Sequence, residues 1–203
     1  MAVTSWYKKV QEGGALTVTA GSAFKGGHWT SVLDGAISTF NKLMTENGVK
    51  LALSKAGDAK NAHIVVEAAG TKAGFSYAGT SYSATFDGNG LHGSTTPVAD
   101  GRGFFEKAFV FVPATPRVSP TDKRSREAGP EVRRFILVHE FIHAAGLSND
   151  EHTNDDVFCY PGQIDGGSRA ADDRIEPWGG LGKPMPPYTL IAKTVTNLKK
   201  AWP

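Results

Sequence analysis

Two histidines and a glutamate stand at a spacing that suits metal chemistry, in the run His139-Glu140-Phe141-Ile142-His143. On a helix, positions i and i+4 lie on one face about one turn apart. Both imidazoles can therefore bind one Zn²⁺, each at about 2.0–2.1 Å. Glu140 follows the first ligand and can reach a water at the metal without ligating it, which suits a general base. The motif predicts one catalytic zinc, with His139 and His143 as ligands.

A catalytic zinc needs a third protein ligand and an open position. The candidates follow Gly146, a residue that lets the chain turn sharply, in the run Leu147-Ser-Asn-Asp-Glu-His152. His152 is the best donor and would give a three-histidine set. Asp150 is the alternative ligand, and Glu176 or another acid ranks behind it.

The segment that carries the motif is typical of a buried helix. Gly129-Pro130 marks its start, because proline is favoured at the first helical position. Gly146 marks its end. Residues 135–145 are apolar on every side except at the two histidines and the glutamate. Burying three ionisable groups is costly, so this context favours a functional site.

The eight residues from His139 to Gly146 resemble the signature of the metzincin clan of zinc peptidases, HExxHxxGxxH or HExxHxxGxxD. All eight positions match. The clan places its third ligand at the position of Asn149, so His152 as the ligand requires an insertion of three residues. The resemblance implies a zinc-dependent endopeptidase that hydrolyses peptide bonds through a metal-activated water, with Glu140 as the base.

The clan's second signature is a methionine in a tight turn beneath the metal, followed by a C-terminal helix. Met185, in Lys183-Pro-Met-Pro-Pro-Tyr188, resembles that methionine. Tyr188 is similar to the tyrosine that some metzincins place near zinc, where it would donate a hydrogen bond in the transition state. It stands three positions after Met185, whereas the clan's tyrosine stands two positions after the methionine.

The resemblance also implies an edge strand that runs antiparallel to bound substrate. The best match is Gly90-Leu-His-Gly-Ser-Thr, in which Leu91, His92 and Gly93 would pair with a peptide by strand addition. Two other functions stay open: a metallohydrolase of a non-protein amide such as a cell-wall peptide, and a non-catalytic zinc-containing binding module. Glu140 argues against the binding module, which has no need of a base.

The remaining elements predict an α+β domain. The resemblance implies that this domain is metzincin-like, with a mixed twisted sheet, a long helix and a buried zinc-binding helix, then a small irregular C-terminal lobe ending in a helix. Strands are predicted at 16–20, 49–53, 63–68 and 107–112, and helices at 29–47, 130–145 and 190–202. Ser31 and Asp34 predict a cap for the first helix. Residues 70–103 predict loops and one exposed strand at about 90–96.

Composition limits the classes further. The 203 residues suit one catalytic domain, with an upper lobe over 1–146 and a lower lobe over 147–203. A net charge of +2 gives no case for nucleic acid as a partner. The single cysteine, Cys159, excludes an intrachain disulfide and a cysteine-based zinc knuckle. The expected partner is a protein or peptide substrate, and the expected state is a monomer.

No apolar run approaches the roughly 20 residues of a membrane span, so no membrane partner is expected. Residues 1–10 lack the apolar region of a Sec signal, which leaves localisation open between the cytoplasm and export by another route. A calcium ion could bind acidic residues after the zinc helix, although solvated carboxylates are the favoured interpretation. These acids are Asp155, Asp156, Asp165, Asp172 and Asp173.

Overall fold

The computed structural model describes residues 5–25, 29–85, 87–118, 126–148 and 188–203. Its helices are α1 (Lys8–Gly13), α2 (Ser22–Lys25), α3 (Leu33–Glu46), α4 (Pro130–Ala144) and α5 (Ala192–Ala201). Its strands are β1 (Ala15–Ala20), β2 (Ala52–Lys55), β3 (Ile64–Ala69), β4 (Lys72–Tyr77), β5 (Thr80–Thr85), β6 (Ser94–Ala99), β7 (Phe105–Pro113), β8 (Arg117–Val118) and β9 (Arg126–Glu127).

The main sheet has five strands in the order β2-β1-β3-β7-β6. The first four are mutually parallel, and β6 pairs antiparallel with β7 at the edge. Pro97 lies within β6, a place that tolerates proline because an edge strand leaves some N–H groups unpaired. The molecule is therefore α+β with a mixed sheet, as the sequence predicts.

The larger hydrophobic core includes residues of β1, β3, β7, α3 and α4 and extends from Trp6 to Trp202. Leu16 and Val18 of β1 are fully buried in it, in alternation with residues that belong to the opposite face of the strand. Phe40 of α3 meets Phe141 of α4 edge to face, with ring centroids 6.1 Å apart. The motif helix is thus buried in the core, where it packs on β6 and β7 and beside α3, which packs on β2.

The opposite side of the sheet is covered by a hairpin of β4 and β5. Phe75 of the hairpin stacks on Phe109 and Phe111 of β7. The expectation of a single exposed strand within 70–103 was wrong here. Alternate hairpin residues are serine, threonine or glycine on the exposed side, and this composition resembles that of a loop.

The limits of α4 and α5 lie within two residues of the prediction, whereas α3 begins at Leu33, four residues later than predicted. α4 ends at Ala144, and Gly146 then turns the chain with a φ of 118°, as predicted. The predicted cap of α3 by Ser31 and Asp34 was wrong, because the N-cap is Val32 and no side chain caps the helix. Asp34 instead forms an ion pair with Lys55 at 2.7 Å.

Among the described residues, no helix has the length and apolarity to cross a membrane.

Candidate metal centre

Helix α4 brings His139 and His143 together on one face. Their ring centroids are 4.9 Å apart, with ring planes 74° from parallel. His139 is buried and His143 is half-buried. The spacing of one helical turn therefore produces the predicted side-by-side pair of imidazoles.

The hydrogen bond at His143 selects its tautomer. Nδ1 of His143 lies 2.8 Å from the carbonyl oxygen of Leu147. A carbonyl oxygen only accepts hydrogen bonds, so Nδ1 must carry the proton. The lone pair of the neutral ring is then on Nε2. Zinc-binding histidines usually have this arrangement, in which one nitrogen donates to a carbonyl and the other ligates.

Glu140 is almost completely buried, with 3% of its surface exposed. Thr95 of β6 donates a hydrogen bond of 2.6 Å from its hydroxyl to Oε2 of Glu140. Burial raises the pKa of Glu140 to about 7, although the Thr95 hydrogen bond acts in the opposite direction by favouring the carboxylate. A carboxyl group with a pKa near neutrality can both accept and release a proton at physiological pH.

Two tryptophans secure the end of the motif helix. Trp6 donates from its indole N–H to the carbonyl of Ala144 at 2.8 Å, and Trp202 does the same to Ala145 at 2.9 Å. Carbonyls at a helix C-terminus have no partner within the helix. These two bonds supply partners immediately after His143, so the end of α4 is anchored from both termini of the chain.

A cavity of about 250 Å³ opens beside His143. It is lined by Thr95 and Pro97 of β6, by Phe105, and by the turn that follows α4, Gly146-Leu-Ser148. Its walls therefore come from the edge strand β6, from the first residue of β7 and from the end of the motif helix. The cavity is large enough for an amino-acid side chain and lies next to one of the two imidazoles.

The structure places an antiparallel edge strand beside the motif, but the strand begins at Ser94, four residues after the start of the predicted stretch at Gly90. Leu91, His92 and Gly93 precede β6 and do not belong to it. Leu91 is buried in the core and Gly93 lies against Glu140. His92 is half-buried, and burial lowers its pKa while Asp87 acts in the opposite direction. The edge available for strand addition is therefore Ser94–Ala99.

Tyr188 is not brought to the histidine pair. Its hydroxyl donates to the backbone carbonyl of Glu131 at 3.0 Å, and its ring lies 5.9 Å from that of Phe135. Glu131 precedes His139 by eight residues on the same helix, which is roughly 12 Å along the axis. In this structure Tyr188 stabilises the start of α4, and a role beside the metal is not supported.

His152, its alternative Asp150, and Met185 lie outside the described residues, as do Glu176 and the acidic residues considered for calcium. Within the described ranges, no three histidine, cysteine, aspartate or glutamate side chains converge as a metal site. The described part therefore supplies two donors. These two fit zinc, because they are imidazoles one turn apart and one of them has Nδ1 bonded to a carbonyl.

The chain matches no protein-family model, and no curated protein sequence is similar enough to it to give a match.

The sequence interpretation missed Trp6, Thr95 and Trp202. Trp202 had a usable signal, because a buried indole N–H normally finds a hydrogen-bond acceptor. Trp6 and Thr95 contact α4 from 138 and 45 residues away along the chain. No local pattern indicates such contacts.

Proposed function

We propose that the chain is a zinc-dependent endopeptidase of metzincin type, with residues 1–203 as one catalytic domain. His139 and His143 would hold the metal together with a third ligand, His152 or its alternative Asp150. The observation that carries the proposal is the imidazole pair, in which Nδ1 of His143 donates to the Leu147 carbonyl, so that the lone pair of the neutral ring is on Nε2, the nitrogen that would ligate a metal. The order of strand, long helix, further strands and motif helix agrees with the clan's upper lobe.

The chemistry that bound zinc supplies is Lewis-acid activation of a water and of the scissile carbonyl. Glu140 would accept a proton from the attacking water and deliver it to the leaving amine. Its environment supports this role, because burial moves the pKa of the carboxyl toward neutrality. Tyr188 has no part in the proposed reaction, since its hydroxyl bonds to Glu131.

Among the described residues β6 pairs only with β7, and its outer edge and the cavity beside His143 support a peptide as the substrate. An extended peptide can add to an exposed strand edge through backbone hydrogen bonds, with its side chains in adjacent pockets. The cavity walls include Pro97, Phe105 and Leu147, and it therefore suits an apolar side chain. A peptide on this edge would pass directly alongside His143.

The test is digestion of a mixed peptide library by the zinc-loaded chain, with products identified by mass spectrometry. Glu140→Gln is run in parallel, because it keeps the shape of the side chain and removes the base. We expect the wild type to cut and the variant to be slower by about 10²- to 10⁴-fold, with zinc content unchanged. Equal activity in the variant would reject the mechanism. A zinc-loaded wild type that cuts no peptide would favour a non-protein amide or a binding module.

A further inference from the structure

Residues at the start of β6 and just before it pack against the carboxyl group of Glu140. Among the described residues, the Thr95 hydroxyl is the hydrogen-bond partner of this carboxyl, at 2.6 Å from Oε2. The same hydroxyl lies 3.2 Å from the backbone carbonyl of Glu140. Thr95 thus contacts both the backbone carbonyl and the side-chain carboxyl of Glu140. These two contacts give the carboxyl a defined orientation relative to α4.

Gly93 makes room for this arrangement. A β-carbon built at position 93 would lie 2.5 Å from Cγ of Glu140 and 2.7 Å from both Cδ and Oε1. Real β-carbons do not approach other atoms so closely, and Glu140 is too buried to swing away. Glycine is therefore required at position 93 for the carboxyl to occupy this place. The space that it leaves is next to Oε1, the oxygen that Thr95 does not bind.

The position of Thr95 is fixed by the pairing of β6 with β7. Thr95 pairs with Val110 of β7, and Thr96 pairs with Phe109. Successive side chains of a strand point to opposite faces. Thr95 and Pro97 line the cavity beside α4, whereas Val98 packs in the smaller core on the other side of the sheet. Thr96 therefore faces away from Glu140, although it is the same residue type one position further on.

We propose that Thr95 is a positioning residue for Glu140, and that Gly93 provides the space in which the positioned carboxyl lies. By donating to Oε2, Thr95 holds the carboxyl in one orientation and leaves Oε1 as the oxygen that exchanges the proton. Small displacements of a catalytic group can cost about 100-fold in rate. This inference rests on the proposed function of Glu140 as the base.

The experiment compares Thr95→Val, which removes the hydroxyl, with Thr95→Ser, which restores it. Thr85→Val is the matched control for the kinetics, because Thr85 is an exposed strand residue of the hairpin of β4 and β5, which covers the other side of the sheet. Kinetic constants are measured on a peptide that the wild type cuts, and zinc affinity by competition with a chelator. We expect Thr95→Val to lower kcat by about 10- to 100-fold, with KM and zinc affinity within about twofold. Thr95→Ser should recover most of kcat, and Thr85→Val should resemble the wild type.

A second readout needs neither zinc nor substrate. The side-chain carboxyl ¹³C resonance of Glu140 is assigned by its absence in Glu140→Gln and is followed in the metal-free protein. We expect it to move in Thr95→Val and in Gly93→Ala, and to stay in place in Thr96→Val.

Unchanged kcat and an unmoved resonance in Thr95→Val would overturn the inference, as would equal losses of kcat in Thr95→Val and Thr85→Val. If the wild type cuts no peptide, the proposed function fails separately. The carboxyl resonance then decides alone whether Thr95 holds Glu140.

Discussion

Two histidines of this molecule, His143 and His63, have opposite hydrogen bonds at the same ring nitrogen. Nδ1 of His143 donates to the carbonyl of Leu147 at 2.8 Å. Nδ1 of His63 accepts from the backbone N–H of Thr17 at 3.0 Å. The neutral rings are therefore different tautomers, with a lone pair on Nε2 in His143 and a proton on Nε2 in His63.

The difference shows how the hydrogen bond at Nδ1 can suit one histidine to metal binding and another to a structural role. A ring that donates through Nδ1 presents Nε2 to a metal, and a ring that accepts at Nδ1 does not. Trp6 contacts both regions, since its ring lies 5.5 Å from that of His63 and its N–H bonds to Ala144. The two histidines thus share a neighbour, and the backbone group at Nδ1 distinguishes the candidate ligand from the structural residue.

The largest expected effect is on zinc affinity. It should appear when His143 is replaced and not when His63 is replaced. His143→Ala removes a proposed ligand and should weaken zinc binding by more than about 100-fold, the upper end for loss of an outer-shell partner. His63→Asn should change affinity by less than about twofold, because an asparagine oxygen can replace the Nδ1 acceptor. Chelator competition measures both. Similar losses in the two variants would contradict the assignment.

A smaller effect is expected at the end of α4. Trp202→Phe leaves the Ala145 carbonyl without its indole partner and should lower the free energy of unfolding by about 1–3 kcal/mol. Trp29→Phe is the matched control, because its indole N–H bonds to the carbonyl of Pro113 at 2.8 Å, away from the motif. Urea unfolding should show a loss in both variants. Only Trp202→Phe should also weaken zinc binding, and an equal change in Trp29→Phe would argue against anchoring of the site by Trp202.

The environment of His63 predicts that the free energy of unfolding depends on pH. Burial lowers the pKa of His63 below its usual 6.5, and the charge of Lys107 lowers it further. The unfolded chain therefore binds a proton at this residue more readily than the folded chain does. The stabilisation from His63 is present above pH 6.5 and is lost as the pH falls through the lowered pKa.

Urea unfolding of the metal-free protein between pH 7.5 and 5.5 measures this dependence. The free energy of unfolding should fall more steeply toward pH 5.5 in the wild type than in His63→Asn, which has no proton to bind there. Parallel curves for the two proteins would show that His63 does not contribute to the acid loss.

The smallest expected effect on the free energy of unfolding concerns the hydroxyl of Thr17, which contacts His63. The backbone N–H of His63 donates to Oγ1 of Thr17 at 3.1 Å. Thr17→Val keeps the shape of the side chain and removes this acceptor, so we expect a loss of about 0.5–1.5 kcal/mol in urea unfolding. Zinc affinity should stay unchanged, and a weakened zinc site in this variant would mean that the two histidine environments are coupled.

Much of the fold could be predicted from the sequence where a pattern is local. The apolar run from Phe135 to Ala145 and its flanking proline and glycine were enough to place α4 within a residue at each end. Regular spacing placed β1, β3 and β7 within two residues at each end, but β2 begins three residues after its predicted start and α3 four residues after. Inside the hairpin of β4 and β5, small polar residues on the outer side hid an equally regular alternation of Phe75, Tyr77 and Tyr82.

The site could be predicted only in part, for the same reason. His139 and His143 are one turn apart, so their proximity follows from helix geometry alone. The contacts that set their chemistry join distant segments, as Thr95 does with Glu140 and Trp6 with Ala144. Sheet order and core packing create those contacts, and a single sequence does not specify them through spacing.

The most direct test of the proposed metal centre is a zinc titration followed by NMR of the histidine ring nitrogens. Before zinc, we expect His143 to carry its proton on Nδ1 and His63 to carry its proton on Nε2. One equivalent of Zn²⁺ should then shift the Nε2 resonance of His143 and a ring nitrogen of His139, while His63 stays unchanged. Resonances of His139 and His143 that do not respond to zinc would contradict the metal centre and the peptidase mechanism built on it.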